Sequence, residues 1–492
     1  MAISFEKIPV GWRVPGQYVE YNNERATSAL DGMPSRAVIL AQMADSGTAA
    51  ANTALLTRNA DQAGQLFGVG SMAWAMVAAF KKANTTTELW VVGIPDDPAG
   101  TKATGAITIA TAPTNTGTLV VTVSGARIRL KVTATDSLAD VAAALAAEIN
   151  GDAQLPVTAA VDGVDPTKVI LTCKWAGQTG NDIDLRGLYY ADAIQAPGVT
   201  MAFTAMAGGA GNPEIDEAIA ALGDRWYSDA VMAYQDSANI LAMDAEVERR
   251  RGPMVAMDMH CWSAHAGSYT LLYGIGMARN TSGLTTMATT GSPVPPWIWA
   301  AAYGGQATFH LKQDPGRPLQ TLEIPGVLAP ADKDQLGPEE RNVLLHSGIA
   351  TFTTDGNSGV AIERAITGYR VNKYGFEDKS YLDCQTLRLL ANLSFTTRAR
   401  IAQRFPRHKL REDREQPPAP GTAVATPRVI KGELSCLYDQ WAEAEWIESA
   451  DQLRKDAIVQ INADDRNTVD TLLPPDIINQ FRVFKARIDF IL

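Results

Sequence analysis

Few stretches of this sequence combine residue types that do chemistry. Gly68-Val-Gly-Ser71 stands just ahead of a helical pattern, where backbone N–H groups would cradle a phosphate. A phosphate loop also needs its lysine or a third glycine, and neither is present, so the segment reads as a turn with Ser71 capping the helix. His260-Cys261 with His265 offers metal-binding atoms. Histidines five apart do not share a helix face, and no second Cys or His pair lies nearby to complete a ligand set. The pattern puts His260 and Cys261 just past a strand at 254–257. His310, His346 and His408 stand alone and read as structural. Ser237, Ser263 and Ser268 lack the G-x-S-x-G elbow that exposes a nucleophile. Asp244, Glu246 and Glu248 give way to Arg249, Arg250 and Arg251, acid early and base late, which reads as a solvated helix end. Arg404, Arg407, Lys409, Arg411 and Arg414 form a basic cluster, interrupted by Glu412 and Asp413, that reads either as a solvated loop or as a dock for an acidic partner. No catalytic site, metal site or cofactor is expected.

Bulk composition frames these residues. The chain has 492 residues, too many for one ordinary core, so about two to four domains are expected. Hydrophobic residues make up 46% and charged residues 20%, the profile of a folded globular protein. Lys and Arg number 43 against 54 Asp and Glu, and the formal charge of −11 argues against nucleic acid as the main partner. Cys173, Cys261, Cys384 and Cys436 show no paired spacing, which fits a reducing compartment. Neither a signal peptide nor an apolar run of about eighteen residues is found, so folding in a cytoplasm without membrane insertion is expected.

Periodicity supplies the elements that must position any site. Residues 36–41 and 88–93 are buried-strand runs, and 71–83 carries Met72, Met76, Ala79 and Phe80 at helical spacing. From about 103 to 204 the chain becomes Thr-, Ala- and Val-rich. Residues 119–132 read as a hairpin about Ser124-Gly125. Asp136 or Ser137 then caps a helix through Leu138, Val141, Leu145 and Ile149, and a second hairpin turns at Asp162-Gly163. Residues 208–213 read as a flexible return linker. Helix and short strand then alternate: helices at 214–222 and 238–251, strands at 230–234 and 254–257. Later helices are predicted near 337–346, 380–404, 428–446 and 449–455. The expected fold class is an α/β core, a mainly parallel sheet with flanking helices, plus an inserted, mostly β, α+β domain and an α+β C-terminal domain.

The expected boundaries are an N-terminal arm at 1–30, a discontinuous α/β domain at 31–102 and 205–334, a protruding insert at 103–204, a C-terminal domain at 335–480 and a C-terminal strand at 481–492. In the first arm Ile8, Val10, Trp12 and Val14 alternate, while Pro9 and Pro15 exclude helix. In the last, Phe484, Ala486, Ile488, Phe490 and Leu492 share one face; Val483, Lys485, Arg487, Asp489 and Ile491 share the other. Unpaired strands of this kind are liabilities in a monomer and joints in an assembly.

Several blocks carry a resemblance, and they occur in order. Ser4-Phe5, Ile8-Pro9, Arg13-Val-Pro-Gly16 and Tyr18-Val-Glu20 resemble the opening of Mu-type phage tail sheath proteins. Leu66-Phe-Gly68, Gly70-Ser-Met72 and Glu88-Leu-Trp90 are similar to the next block. Ala365-Ile-Thr-Gly-Tyr369, Ser380-Tyr-Leu-Asp383 with Thr386, Phe405-Pro-Arg-His-Lys-Leu410, Val424-Ala-Thr-Pro427 and Asn479-Gln480 continue it. The region 103–204 carries little of the resemblance. What it implies is a structural subunit, not an enzyme. Such a subunit polymerises with itself as stacked hexameric rings around a tail tube protein, meets baseplate and tail terminator proteins, and contracts to drive the tube through the host envelope. The resemblance further implies an inner, tube-facing C-terminal domain, to which the 404–414 cluster belongs, and arms at both ends that add strands to a neighbour's sheet. It puts the protein in the virion, after assembly in the host cytoplasm. Two other readings compete. The sheath of a phage-derived bacteriocin or related injection machine is not separated from a phage tail by sequence. A nucleotide-dependent α/β enzyme would need the phosphate loop and convergent polar cluster that are missing.

Overall fold

The computed structural model describes residues 13–19, 32–190, 192–354, 359–416, 419 and 422–491. Two compact units make up the chain: one runs from Pro34 to Arg388 and includes the segment from Gln480 onward, the other joins the described residues up to Met33 with Leu389–Asn479. Among the described residues, no helix is long and apolar enough to cross a membrane.

The larger unit opens with strands β1 (Arg36–Gln42), β2 (Ala54–Leu56) and β3 (Glu88–Ile94) and helices α1 (Ala60–Phe67) and α2 (Met72–Ala83). Residues 37–41 of β1 are all fully buried, because a central parallel strand is covered on both faces.

The insert follows, with β4 (Lys102–Thr111), β5 (Gly117–Val123), β6 (Ala126–Val132), α3 (Leu138–Gly151), β7 (Val157–Val161), β8 (Lys168–Ala176), β9 (Leu185–Arg186) and β10 (Thr200–Ala207). At the β5–β6 turn Ser124 and Gly125 have φ of 53° and 80°, the left-handed pair a two-residue hairpin takes. Ser137 and Asp140 form a capping box on α3. The expected independence of this region is not found. Buried residues of the insert and of the α/β layer share one continuous core. Trp175 meets Trp297 edge-on at 5.4 Å, and the Tyr189 hydroxyl donates to the Ala329 carbonyl at 2.6 Å. The linker is tied as well: the Thr101 hydroxyl donates to the Gly208 carbonyl at 2.7 Å. Strands rich in Thr and Ala carry little apolar area of their own, so the insert completes its core against the neighbouring layer.

After α4 (Asp216–Ala220), the α/β layer is completed by β11 (Asp229–Met232), α5 (Ser237–Arg251), β12 (His260–His265), α6 (Tyr269–Ala278), β13 (Leu284–Ala288) and α7 (Pro296–Gln313). The sheet order is β13-β12-β11-β1-β3-β2, and only β2 pairs antiparallel. One expected strand is displaced. Residues 254–257 do not form a strand: Met254 is 96% exposed and Ala256 has φ 52°. The strand is His260-Cys-Trp-Ser-Ala-His265, too polar to stand out in an apolar search. Most of its polar groups are tolerated because they find partners, the Ser263 hydroxyl donating to the Thr285 carbonyl at 3.2 Å.

The larger unit also runs past the boundary expected at 335. α8 (Pro338–His346), β14 (Thr351–Thr354) and β15 (Val360–Arg364) stay with it. Ala350 bridges to Met287 in β13, and Phe352 packs on Trp299 at 4.9 Å. The division falls instead within α9 (Cys384–Arg404). In the smaller unit β16 (Lys409–Leu410) pairs with β17 (Val424–Ala425), and α10 (Pro427–Glu443), α11 (Ala450–Asp456), β18 (Ile458–Ile461) and β19 (Val469–Leu472) follow. Ile430, Leu434, Leu437 and Trp441 form the buried stripe of α10, in one core with Leu393, Ile447 and Leu453.

Candidate assembly surfaces

Two places where this fold could do chemistry are closed by its own residues. β1 lies between β3 and β11, so the strand order reverses there, the position at which doubly wound sheets take ligands. Gln42, at the end of β1, donates to Asp96 at 2.9 Å and to the Ala176 carbonyl at 2.6 Å, and Asp96 accepts from the Ala176 N–H at 2.9 Å. The end of β8 is thereby pinned across the ends of the parallel strands. The α2 N-terminus is covered too. A side chain at Gly70 (φ 76°) would lie 2.3 Å from the Ala153 carbonyl, so glycine serves close packing there, and Ser71 spends its oxygen on the Trp74 N–H at 3.1 Å.

His260 and His265 lie in β12, where five residues of separation point them to opposite faces. His260 Nε2 bonds the Thr285 hydroxyl at 2.8 Å, and burial pushes its pKa well down, with Arg388 and Arg251 acting the same way. Burial likewise pushes the Cys261 thiol up. Among the described residues no three His, Cys, Asp or Glu gather as a metal site. Ser263 is buried in its sheet, Ser268 caps α6 through the Leu271 N–H at 3.3 Å, and Ser237 is the first residue of α5.

Two buried ion pairs were not legible in the sequence. The end of α5 is only partly the solvated face expected. Arg250 is fully buried, donating to Glu246 at 2.6 Å and to the carbonyls of Arg225 and Gly223 at 2.8 and 2.9 Å. Nothing in a run of three arginines marks the middle one for burial; the turn at 223–225 decides it. Asp229, at the start of β11, pairs with Arg388 of α9 and accepts from the Trp262 indole at 2.8 Å.

The residues proposed for assembly behave differently. Ile8, Val10 and Trp12 lie outside the described residues; Val14 is 57% exposed. Residues 483–491 form no strand within the single subunit. The alternation is there, but a strand also needs an edge to bond, and this segment has none among the described residues. Phe484, Ile488 and Phe490 are 78%, 86% and 78% exposed; Val483 and Ala486 are exposed as well, and Leu492 lies outside the described residues. The β18–β19 hairpin is complementary in kind. Its strands pair only with each other, Ile458 opposite Leu472, so both outer edges lack a strand partner among the described residues. Ile458 and Leu472 are 50% and 58% exposed.

The basic cluster separates into two groups. Arg404 donates to Glu433 at 2.9 Å and Arg411 to the Glu412 carbonyl at 3.2 Å, so both are engaged inside the smaller unit. Arg407, Lys409 and Arg414 are exposed.

Comparison with known proteins bears on the family of the chain. The phage tail sheath protein central domain matches residues 208–368, and the phage tail sheath C-terminal domain matches residues 377–491. The chain is 35% identical, over 492 residues and the whole of both chains, to a Mu-like prophage FluMu tail sheath protein of Haemophilus influenzae. A sheath tail protein of known structure from Desulfitobacterium hafniense is 12% identical with TM-score 0.48, covering 94% of this chain and 100% of that one. The sheath complex of an extracellular contractile injection system in its contracted state is 10% identical with TM-score 0.48, covering 98% of each chain. The full-length relative and the two matched domains show that the chain belongs to the Mu-like phage tail sheath family and is a structural protein of a contractile tail, not an enzyme.

Proposed function

We propose that the subunit polymerises by strand addition, residues 483–491 lying along an outer edge of the β18–β19 hairpin of a second copy. The observation that carries this is the pairing of two unmet needs: an exposed alternating segment without an edge, and a hairpin with two free edges. Burying Phe484, Ile488 and Phe490 yields roughly 1.5–3 kcal/mol each. Ordering the backbone costs roughly 1–2 kcal/mol per residue. One arm is therefore a weak joint, and the lattice gains strength from repetition and from ladder hydrogen bonds. The N-terminal arm, with Ile8, Val10, Trp12 and Val14, takes the other edge.

In this reading the subunits stack as hexameric rings around a tail tube and meet baseplate and terminator proteins. The smaller unit faces the tube, with Arg407, Lys409 and Arg414 free for acidic groups there or on a neighbour. Assembly takes place in the host cytoplasm, and contraction drives the tube through the host envelope. Deleting residues 481–492 tests the joint by sedimentation and negative-stain microscopy. A folded monomer without tubes is expected; tubes from the deletion variant would overturn the reading.

A further inference from the structure

The C-terminal segment changes character at Arg482. Phe481 on one side is 73% exposed and Val483 on the other 68%, yet the Arg482 side chain keeps only 11% of its surface. Its Nη2 donates to Asp383 Oδ1 at 3.0 Å, to Gln385 Oε1 at 3.2 Å and to the Gln480 side-chain oxygen. Asp383 is held from another side by Arg364 at 3.2 Å. Gln320 adds an amide contact to the Phe481 carbonyl at 3.4 Å. Arg364 ends β15 and Asp383 immediately precedes α9, so the segment is fixed at one point to two elements of the larger unit. Beyond that point, among the described residues, the segment's side-chain bonding is internal, Arg487 to Asp489 at 2.8 Å.

The clamp is not a fully satisfied structural pair. Among the described residues, Arg482 Nε and Nη1 are buried without a partner. A guanidinium kept in place at that cost asks for a role beyond packing.

We infer that Arg482 is the tether residue of the C-terminal arm: through Asp383 it fixes the point from which the arm leaves the subunit. The inference rests on reading residues 483–491 as the joining arm. Extended, the ten residues from Val483 to Leu492 reach about 33–36 Å. With the clamp open the free chain would begin at Gln480 and gain about 10 Å of slack. A longer, unaimed tether presents the same strand at a lower effective concentration, with its intrinsic contacts unchanged.

Arg482→Ala separates these quantities. A fluorescent peptide of residues 483–492 should bind the variant monomer as tightly as the parent monomer, because the acceptor edge is untouched. The critical concentration for tubes should rise, by about 1.5-fold from the added length alone and further from the lost aim. An unchanged critical concentration would overturn the tether. So would loss of peptide binding together with assembly, which would make Arg482 a residue of the fold alone. Should Arg482→Ala melt well below the parent, Arg482→Gln gives the same measurement with the bulk retained. Deletion of residues 483–492 keeps the two readings apart. Tubes from the deletion variant sink the arm itself. No tubes from the deletion, with parent-like tubes from Arg482→Ala, sink only the tether.

Discussion

In the central sheet little strand edge is left open: β13 is bridged by Ala350, and β2, at the other margin, is only three residues long. In the β18–β19 hairpin both outer edges are left without a strand partner among the described residues, and apolar side chains on it stay half-exposed. A two-stranded sheet of this kind is marginal by itself. The two regions use the same backbone hydrogen-bonding groups, and the contrast lies in where the second partner is found. A subunit that must fold alone and then join others needs both, one region closed and one left open.

The largest effect is expected from breaking the closed region. Replacing residues 103–204 with a short Gly-Ser linker should abolish soluble folding, since the core is shared through contacts such as Trp175 with Trp297. A cooperative melt from that variant, followed by circular dichroism, would show the insert to be separable. Next is Arg388→Ala, which leaves Asp229 buried without its cation. It should cost about 3–5 kcal/mol in urea unfolding of the monomer. A loss under about 1 kcal/mol would mean that the Trp262 indole and Ser228 suffice for Asp229.

Acidity probes the same sheet more gently. Buried His260 titrates well below its usual 6.5, and His265 is lowered as well, mainly by burial. The unfolded chain therefore binds protons that the folded chain refuses. Stability is full above about pH 6.5 and falls as pH drops below it, by up to about 1.4 kcal/mol per pH unit for each histidine. Urea midpoints at falling pH should show this slope, and it should be shallower in His260→Gln.

The open region should respond in assembly and hardly at all in the monomer. Leu472→Asp on the hairpin should change monomer stability by less than about 0.5 kcal/mol while tubes are lost. A variant that assembles normally would show that this edge is not the acceptor. The smallest effect is expected from Lys485→Glu with Arg487→Glu, on the less apolar face of the arm. Tube yield close to the parent's would sharpen the assignment of Phe484, Ile488 and Phe490 as the buried face.

Much of the fold was legible because local signals and tertiary demands coincide. The apolar run at β1, the Ser71 cap, the Ser124-Gly125 turn and the Val141, Leu145 and Ile149 stripe of α3 all sit where the pattern puts them. The reading slipped at β12, where polar residues are satisfied by neighbours distant in sequence. It slipped again at the 335 boundary, because a bridge from Ala350 to Met287 has no local signature.

The sequence by itself determined the periodicities, the caps and turns, and an alternating C-terminal segment that needs a partner it does not carry. Those are properties of residues within a few positions of one another. Tertiary structure alone decided that the insert shares the main core, that Arg250 is buried while Arg249 is not, and that Arg482 is clamped where Val483 is free. Each depends on which distant carbonyl or carboxylate arrives at hydrogen-bonding distance, and folding alone brings those groups together.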